Sequence, residues 1–524
     1  MSAFSFQGSS PNPASRRILS LWLRRLPTDR LSRLSPELAD RPFAVTANVK
    51  SARRICGLND EAAKLGLRAG MALADARAMY PDLAAIDADH ASDARLLEAI
   101  ADWCDRYTPL VGLDPPDGLL LDITGCAHLF GGESALCRDL MRRLAGQGFH
   151  THVAVADNAG CAHAVARYGA RGIVPSGGMR DALQMLPLVA LRIEPGIAAP
   201  LAQAGLKTIG QIIELPRAPL AARFGEGFVR RIDQALGIED EPITPRLPVP
   251  SFLVEQRFAE PIGREEDVLG TVLHLARELS RAMERHGKGA RRLQTALFRT
   301  DGKVARIEIG TAAPLRDPER IRKLFTDRLT VLGDEADPGF GFDLIRLSAL
   351  AVERLDPVQS GLSDGDPARE IAHLIDRLMA RFGPDRVQRL VPQDTHIPEL
   401  ASLSLPANSM PKAAMAAQAF AQDSLIPVRP IRLFERPEPI EAIAQVPDGP
   451  PVRFTWRRVS HEVAQAEGPE SIAIQWWRND QGHPITRDYF RVENRQGARF
   501  WLYREGIYED RDNPPNWFLH GIFA

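Results

Sequence analysis

Three short apolar runs constrain this chain most: RILSLWL (17–23), GLLLDITG (118–125) and THVAVAD (151–157). Each has the length and side-chain types of a single strand. The acidic stretch GLDPPDGLLLDITG (112–125) reads as a strand that carries Asp114, Asp117 and Asp122 before turning through Thr124-Gly125. Helical patterns, DARLLEAIADWCDRYTPL and ESALCRDLMRRLAGQG, alternate with these runs, and FAVTANV (43–49) supplies one more strand. This order predicts an α+β domain on a mixed sheet ending near residue 175. Within it, SARRICGLNDEAAKLGLRAGMALADARAMYPDL reads as two short helices, the first ending at Gly66 and the second running from Met71 to Pro81.

Further along, residues 185–240 are short helices punctuated by glycine, and 250–356 follow the order βαββαβ. Roughly 360–430 is rich in Pro, Ala and Ser, and its second half reads as a flexible linker. The tail from 431 is aromatic and strand-like, as in VRFTWRRV, RDYFRVEN and ARFWLYRE. At 524 residues the chain needs several cores, since a domain takes about 150 residues. Hydrophobic residues make up 44% and no apolar run reaches bilayer-spanning length, so a membrane protein is excluded. The leader MSAFSFQGSSPNPASRR lacks a signal-peptide pattern, which predicts a disordered lead-in and cytoplasmic residence. The five cysteines show no metal-ligand spacing and read as reduced and mostly buried. Net charge is −2, so binding to nucleic acid requires a local basic patch.

The order of elements resembles that of the Y-family DNA polymerases, the UmuC-like lesion-bypass enzymes, over about residues 17–356. GLRAGMALADARAMYPDL resembles the family's fingers signature, LLLDITGCAHLFGG the segment after its catalytic Ser-Ile-Asp-Glu, and PGIAAPLAQAGLKTIGQI its thumb helix-hairpin-helix. The resemblance implies a multidomain α+β architecture: a lead-in (1–15), palm and fingers (16–178), helical thumb (179–245), little finger (248–357), partly flexible linker (358–430) and a β-rich partner-binding domain (431–524).

Phosphoryl transfer in that family uses two metal ions held by carboxylates. The resemblance places Trp22 where the first-strand carboxylate belongs, and Asp117 and Gly118 where the later Asp-Glu pair belongs. One carboxylate of three remains, which predicts an inactive homologue without a metal cofactor. Asp29 and Asp40 are the alternative ligands; Asp29 follows Pro27, which ends the strand. The family's triphosphate-binding lysine has Arg171 as its nearest counterpart.

Residues 281–306 carry Arg281, Arg285, Lys288, Arg291, Arg292, Arg299, Lys303 and Arg306 against Glu284 and Asp301, a candidate phosphate-tracking surface. Gly196, in the thumb turn, is a candidate for phosphate contact through backbone amides. A clamp-binding peptide commonly follows the little finger in this family; QDSLI (Gln422, Leu425, Ile426) fits it, with ASLSLPA around Leu403 and Leu405 as a rival. The aromatic tail resembles that of a non-catalytic branch in a bacterial damage-induced (SOS) mutagenesis cassette. That implies a scaffold binding DNA, the sliding clamp, an error-prone C-family DNA polymerase and a RecA-like accessory protein. Its tail aromatics, Trp476, Trp477, Tyr489, Phe490, Trp501 and Tyr503, read as core, with any surplus free to dock a partner. The alternatives are an active magnesium-dependent translesion polymerase and a DNA-binding module without clamp interaction.

Overall fold

The computed structural model describes residues 4–5, 16–49, 52–170, 172–333, 337–355, 367–409, 429–445, 449–473, 486–506 and 515–524. The chain forms two compact units, Met1–Glu370 and Ile371–Ala524.

The first unit begins with β1 (Phe4–Ser5), β2 (Ile18–Leu23), α1 (Leu26–Leu34), β3 (Phe43–Val49), β4 (Ala52–Leu58), α2 (Asp60–Lys64), α3 (Leu73–Met79) and β5 (Ala84–Asp87). It continues through α4 (His90–Cys104), β6 (Val111–Asp114), β7 (Gly118–Asp122), α5 (Glu133–Gly146), β8 (Thr151–Ala156) and α6 (Ala159–Tyr168). The palm sheet has the order β6-β7-β2-β8. Alternation along β2 sends Leu19, Leu21 and Leu23 into the core with Leu97, Ile100, Leu136 and Leu140 of α4 and α5. Ile18 and Trp22 face the other way, towards α6 and the thumb.

Two local expectations need correction. Ala52–Leu58, expected within a helix, is a strand, because its backbone pairs with β3 from Ala44↔Leu58 to Val49↔Ala52 and forms the sheet β4-β3-β5. The 112–122 stretch is a hairpin, β6 against β7, with Asp114 opposite Gly118. Pro115 and Pro116 lack the N–H that a continuous central strand would need, so the chain turns there.

The thumb comprises α7 (Met179–Leu183), α8 (Pro195–Gln203), α9 (Ile209–Ile213), α10 (Arg217–Phe224) and α11 (Glu226–Leu236). α11 packs so closely on α6 that a Cβ at Gly160 would lie 3.0 Å from the Ala235 backbone. The little finger is β9 (Phe252–Ile262), α12 (Glu265–Arg285), β10 (Lys288–Arg299), β11 (Val304–Leu315), α13 (Pro318–Leu332) and β12 (Phe342–Arg354), in the βαββαβ order expected. Its sheet runs β1-β9-β12-β10-β11, so the N-terminal strand pairs along the β9 edge.

α14 (Pro367–Phe382) crosses the division between the units. The second unit holds a hairpin, β13 (Gln388–Pro392) with β14 (Ser402–Pro406), and six strands closed into a barrel. These are β15 (Arg432–Ala444), β16 (Pro451–Trp456), β17 (Val459–Ala473), β18 (Thr486–Asn494), β19 (Arg499–Glu505) and β20 (Asn516–Ile522). The interval 358–430, read as a linker, therefore contributes a helix and a hairpin whose Val391 and Ile397 are buried. Among the described residues, no helix is long and apolar enough to cross a membrane.

Candidate functional site: a palm hairpin closed by a guanidinium

β2 brings Trp22 into register with Gly118 on one side and His152 on the other. The three positions singled out in the sequence thus meet at one corner of the palm sheet. The Trp22 indole donates Nε1–H to Asp117 Oδ2 at 2.9 Å, and Arg167 donates to Asp117 Oδ1 at 2.7 Å. Both oxygens of the surviving carboxylate are committed to donors of the protein itself. Asp114, on the facing strand, takes His163 Nδ1 at 2.6 Å and has the Arg167 guanidinium 3.6 Å away.

His163 and Arg167 lie four residues apart on α6, which puts them on one face of the helix. Asn158 caps that helix by accepting from the Cys161 N–H at 2.7 Å. The Arg167 side chain is only 10% exposed and stands 5.6 Å over the Trp22 ring. A Cβ on Gly118 would fall 2.8 Å from Arg167 Nη2 and 2.9 Å from the Asp114 carbonyl. The glutamate that the family resemblance places at 118 therefore has no room while Arg167 holds this position.

The electrostatics agree with a closed ion-pair network. Burial raises the pKa of Asp114, but the His163 hydrogen bond and the charges of His163, Arg167 and Arg192 outweigh it and leave the group below its usual range. Burial, joined by the Arg167 and Arg192 charges, lowers the His163 pKa against the pull of Asp114, to whose carboxylate the ring donates its Nδ1–H. Magnesium does not fit this donor set: hard cations take several free oxygens, and both oxygens of Asp117 and the Oδ2 of Asp114 are already partnered. Among the described residues, no group of three or more His, Cys, Asp or Glu side chains could hold a metal ion. Asp29 is no substitute, since both its oxygens bond to His150, at the backbone N–H and at Nδ1, each at 2.8 Å. Asp122 holds the local fold, accepting from Thr124 N–H and from Arg16 Nε, both at 3.0 Å.

Trp22, Asp117 and Gly118 were legible in the sequence; His163 and Arg167 were missed. Their signal is the His-x-x-x-Arg spacing on a helix that follows a palm strand. Arg171 lies outside the described residues.

The basic residues of the little finger divide into two groups. Arg281 and Arg285 are exposed and Lys288 is half-buried at the far end of α12 and the start of β10. Lys303 is exposed in the β10–β11 turn. The arginines farther along the sheet are paired. Arg291 reaches Glu353 at 3.1 Å, Arg292 reaches Glu308 at 3.1 Å, and Arg299 grips Asp301 at 2.7 Å. Arg306 turns to the palm, 2.7 Å from Asp102 and 2.5 Å from Asp105. The local excess of cations over acids in the sequence is thus offset in space by cross-strand and palm carboxylates. Gly196 is exposed in the first turn of α8, with no atom within 4 Å of where its Cβ would be.

Gln422, Leu425 and Ile426 lie outside the described residues, as do Trp476 and Trp477. The rival peptide is strand β14, with Leu403 paired to Val391 and Leu405 to Arg389. Tyr489, Phe490, Trp501 and Tyr503 are all at most 3% exposed. All five cysteines are free, with Cys56 exposed.

Residues 27–167 match the impB/mucB/samB family, and residues 249–364 match the impB/mucB/samB family C-terminal domain. Protein ImuB of Caulobacter vibrioides is 42% identical over 471 residues, covering 88% of this chain and all of the relative. DNA polymerase IV of Desulfatibacillum aliphaticivorans is 24% identical, over 68% of this chain and 92% of its own. Among solved structures, DinB of Sulfolobus solfataricus aligns with 64% of this chain and 98% of its own at 16% identity and a TM-score of 0.38. The insertion ternary complex of Dbh DNA polymerase aligns with 65% of this chain and 99% of its own at 15% identity and a TM-score of 0.39. The chain belongs to the ImuB family.

Proposed function

We propose that this protein is a non-catalytic scaffold of damage-induced translesion synthesis: it binds DNA and links the sliding clamp to an error-prone C-family polymerase and a RecA-like accessory protein. The observation that carries the loss of catalysis is the Arg167 guanidinium bound between Asp114 and Asp117, over the Cβ-free Gly118. A two-metal reaction needs cations that exchange ligands, lower the pKa of an attacking hydroxyl and bridge to the triphosphate. A guanidinium supplies the charge without the open coordination positions. It neutralises the remnant acids and keeps the palm corner folded.

DNA binding falls to Arg281, Arg285, Lys288 and Lys303, whose side chains stand outside the ion pairs of the sheet, and to the amides around Gly196. The expected outcome of primer extension with magnesium or manganese is no template-directed incorporation; reproducible incorporation sinks the proposal. Clamp binding is tested by pull-down with Gln422→Ala and Leu425→Ala combined. Undiminished capture removes that peptide, and no capture by the unmodified chain favours a DNA-binding module without clamp interaction.

A further inference from the structure

The barrel of the second unit has two aromatic layers where one would suffice. Along β18, β19 and β20 the side chains alternate. Phe490, Val492, Phe500, Leu502 and Leu519 belong to the barrel interior, while Tyr489, Trp501 and Tyr503 form a separate cluster with Phe518 on the outer wall. His520 shares that outer face, 5.6 Å from the Trp501 ring and with its Nδ1 2.7 Å from the Tyr489 hydroxyl. Tyr489 stacks on Trp501 at 4.1 Å, and Tyr503 on Phe518 at 5.0 Å. A barrel wall of this kind is ordinarily polar, yet Trp501, Tyr503 and His520 are no more than 3% exposed.

The loop that joins β13 to β14 reaches this face through a carboxylate. Its Ile397 is buried, and Glu399 Oε1 accepts from Arg487 Nη1 at 2.6 Å. Arg487 in turn lies 4.9 Å over the Tyr503 ring, and Arg429 lies 4.8 Å over Trp501. Two features distinguish this contact from an ordinary core layer. Among the described residues, the β13–β14 hairpin forms its own two-stranded sheet and shares no ladder with the barrel, and the links between them run through side chains such as Glu399 and His396. The seat is also imperfect: Glu399 Oε2 is buried without a hydrogen-bond partner among the described residues, 3.8 Å from His520 Nε2. An unmade bond of this kind weakens the resident segment relative to one that satisfies the site.

We propose that the outer wall around Trp501, Tyr503 and Arg487 is a docking site for a short partner peptide carrying a carboxylate flanked by apolar residues, and that Ile397-Pro398-Glu399-Leu400 occupies it in the free chain. Stacked Trp and Tyr side chains beside arginines form the kind of anchor surface that dominates protein interfaces. Glu399 of the resident loop defines the acid that Arg487 takes, and aromatic faces of this kind favour apolar groups beside it. This inference rests on reading the C-terminal unit as the part that docks protein partners.

The test uses the full chain and a fluorescein-labelled peptide of residues 393–402 in anisotropy titrations. Ile397→Ser with Glu399→Ala releases the loop; Glu399→Gln weakens it while keeping its shape. The released chain is expected to bind the peptide at least about tenfold tighter than the unmodified chain, with Glu399→Gln between them. Adding Arg487→Met should abolish the gain. Equal affinity for all forms, absence of binding by the released chain, or tighter binding of an oligothymidylate than of the peptide overturns the proposal. Should the double variant fail to fold by circular dichroism, Glu399→Gln alone decides: affinity equal to that of the unmodified chain counts against the site. Partner proteins still captured by a chain that ignores the peptide would refute this site and leave the partner-docking reading intact.

Discussion

At the scale of single residues, Gly118 and Arg167 are one structural statement. The missing Cβ makes space for the guanidinium, and the guanidinium is the cation that Asp114 and Asp117 share. Arg167→Met should therefore destabilise the first unit by about 3 kcal/mol, because it leaves the largely buried Asp114 and the half-buried Asp117 without their shared cation. Chemical denaturation checks this, and an unchanged midpoint would show that the network contributes nothing. Gly118→Ala should cost about 1–3 kcal/mol through overpacking against Arg167 and the Asp114 carbonyl. The sequence disclosed Trp22 and Gly118 because strand register fixes their positions. It did not disclose Arg167, whose helix reaches the hairpin only after the chain has folded back.

At the scale of elements, local pattern and tertiary pairing disagree in instructive places. Ala52–Leu58 has no strong helical face, and pairing with β3 decides its state. On β20, His520 is fully buried, and burial above all lowers its pKa from 6.5 to about 4; the Glu399 charge opposes this and Arg487 adds to it. A histidine held neutral in the folded state costs stability once the unfolded chain protonates. The C-terminal unit should be most stable above pH 6.5 and lose up to about 3 kcal/mol as pH falls towards 4. His520→Phe should flatten that dependence. Thermal unfolding of both forms at pH 7.5 and 4.5 checks it, and parallel pH profiles would refute the role of His520.

At the scale of the first unit as a whole, arginines join the palm to the little finger. Arg306 holds Asp102 and Asp105, Arg346 donates to the Asp105 carbonyl at 2.6 Å, and Arg106 and Arg143 converge on Asp343 at 2.7 and 2.8 Å. Cations that look equivalent in sequence therefore have different duties. Arg281→Ala with Arg285→Ala should lower DNA affinity and reduce the salt slope by about one for each phosphate no longer neutralised, without altering thermal stability. Arg306→Ala should instead destabilise the dock between palm and little finger and leave the salt slope unchanged. Titrations at several salt concentrations, paired with melting curves, separate the two; equal effects from both variants would contradict the division.

The order of elements, the βαββαβ little finger, the β-rich tail and the alignment of Trp22 with Gly118 were all legible along the chain. Those depend on local periodicity, turn chemistry and strand register, which neighbouring residues specify between themselves. Folding in three dimensions was needed to settle which charge meets which: that Arg167 occupies the palm corner, that Arg306 faces carboxylates of the palm, and that Glu399 reaches an aromatic wall. Coulomb partners are chosen by distance in space, and burial sets what an unpaired one costs. Residues far apart in sequence carry no mark of either until the cores bring them together.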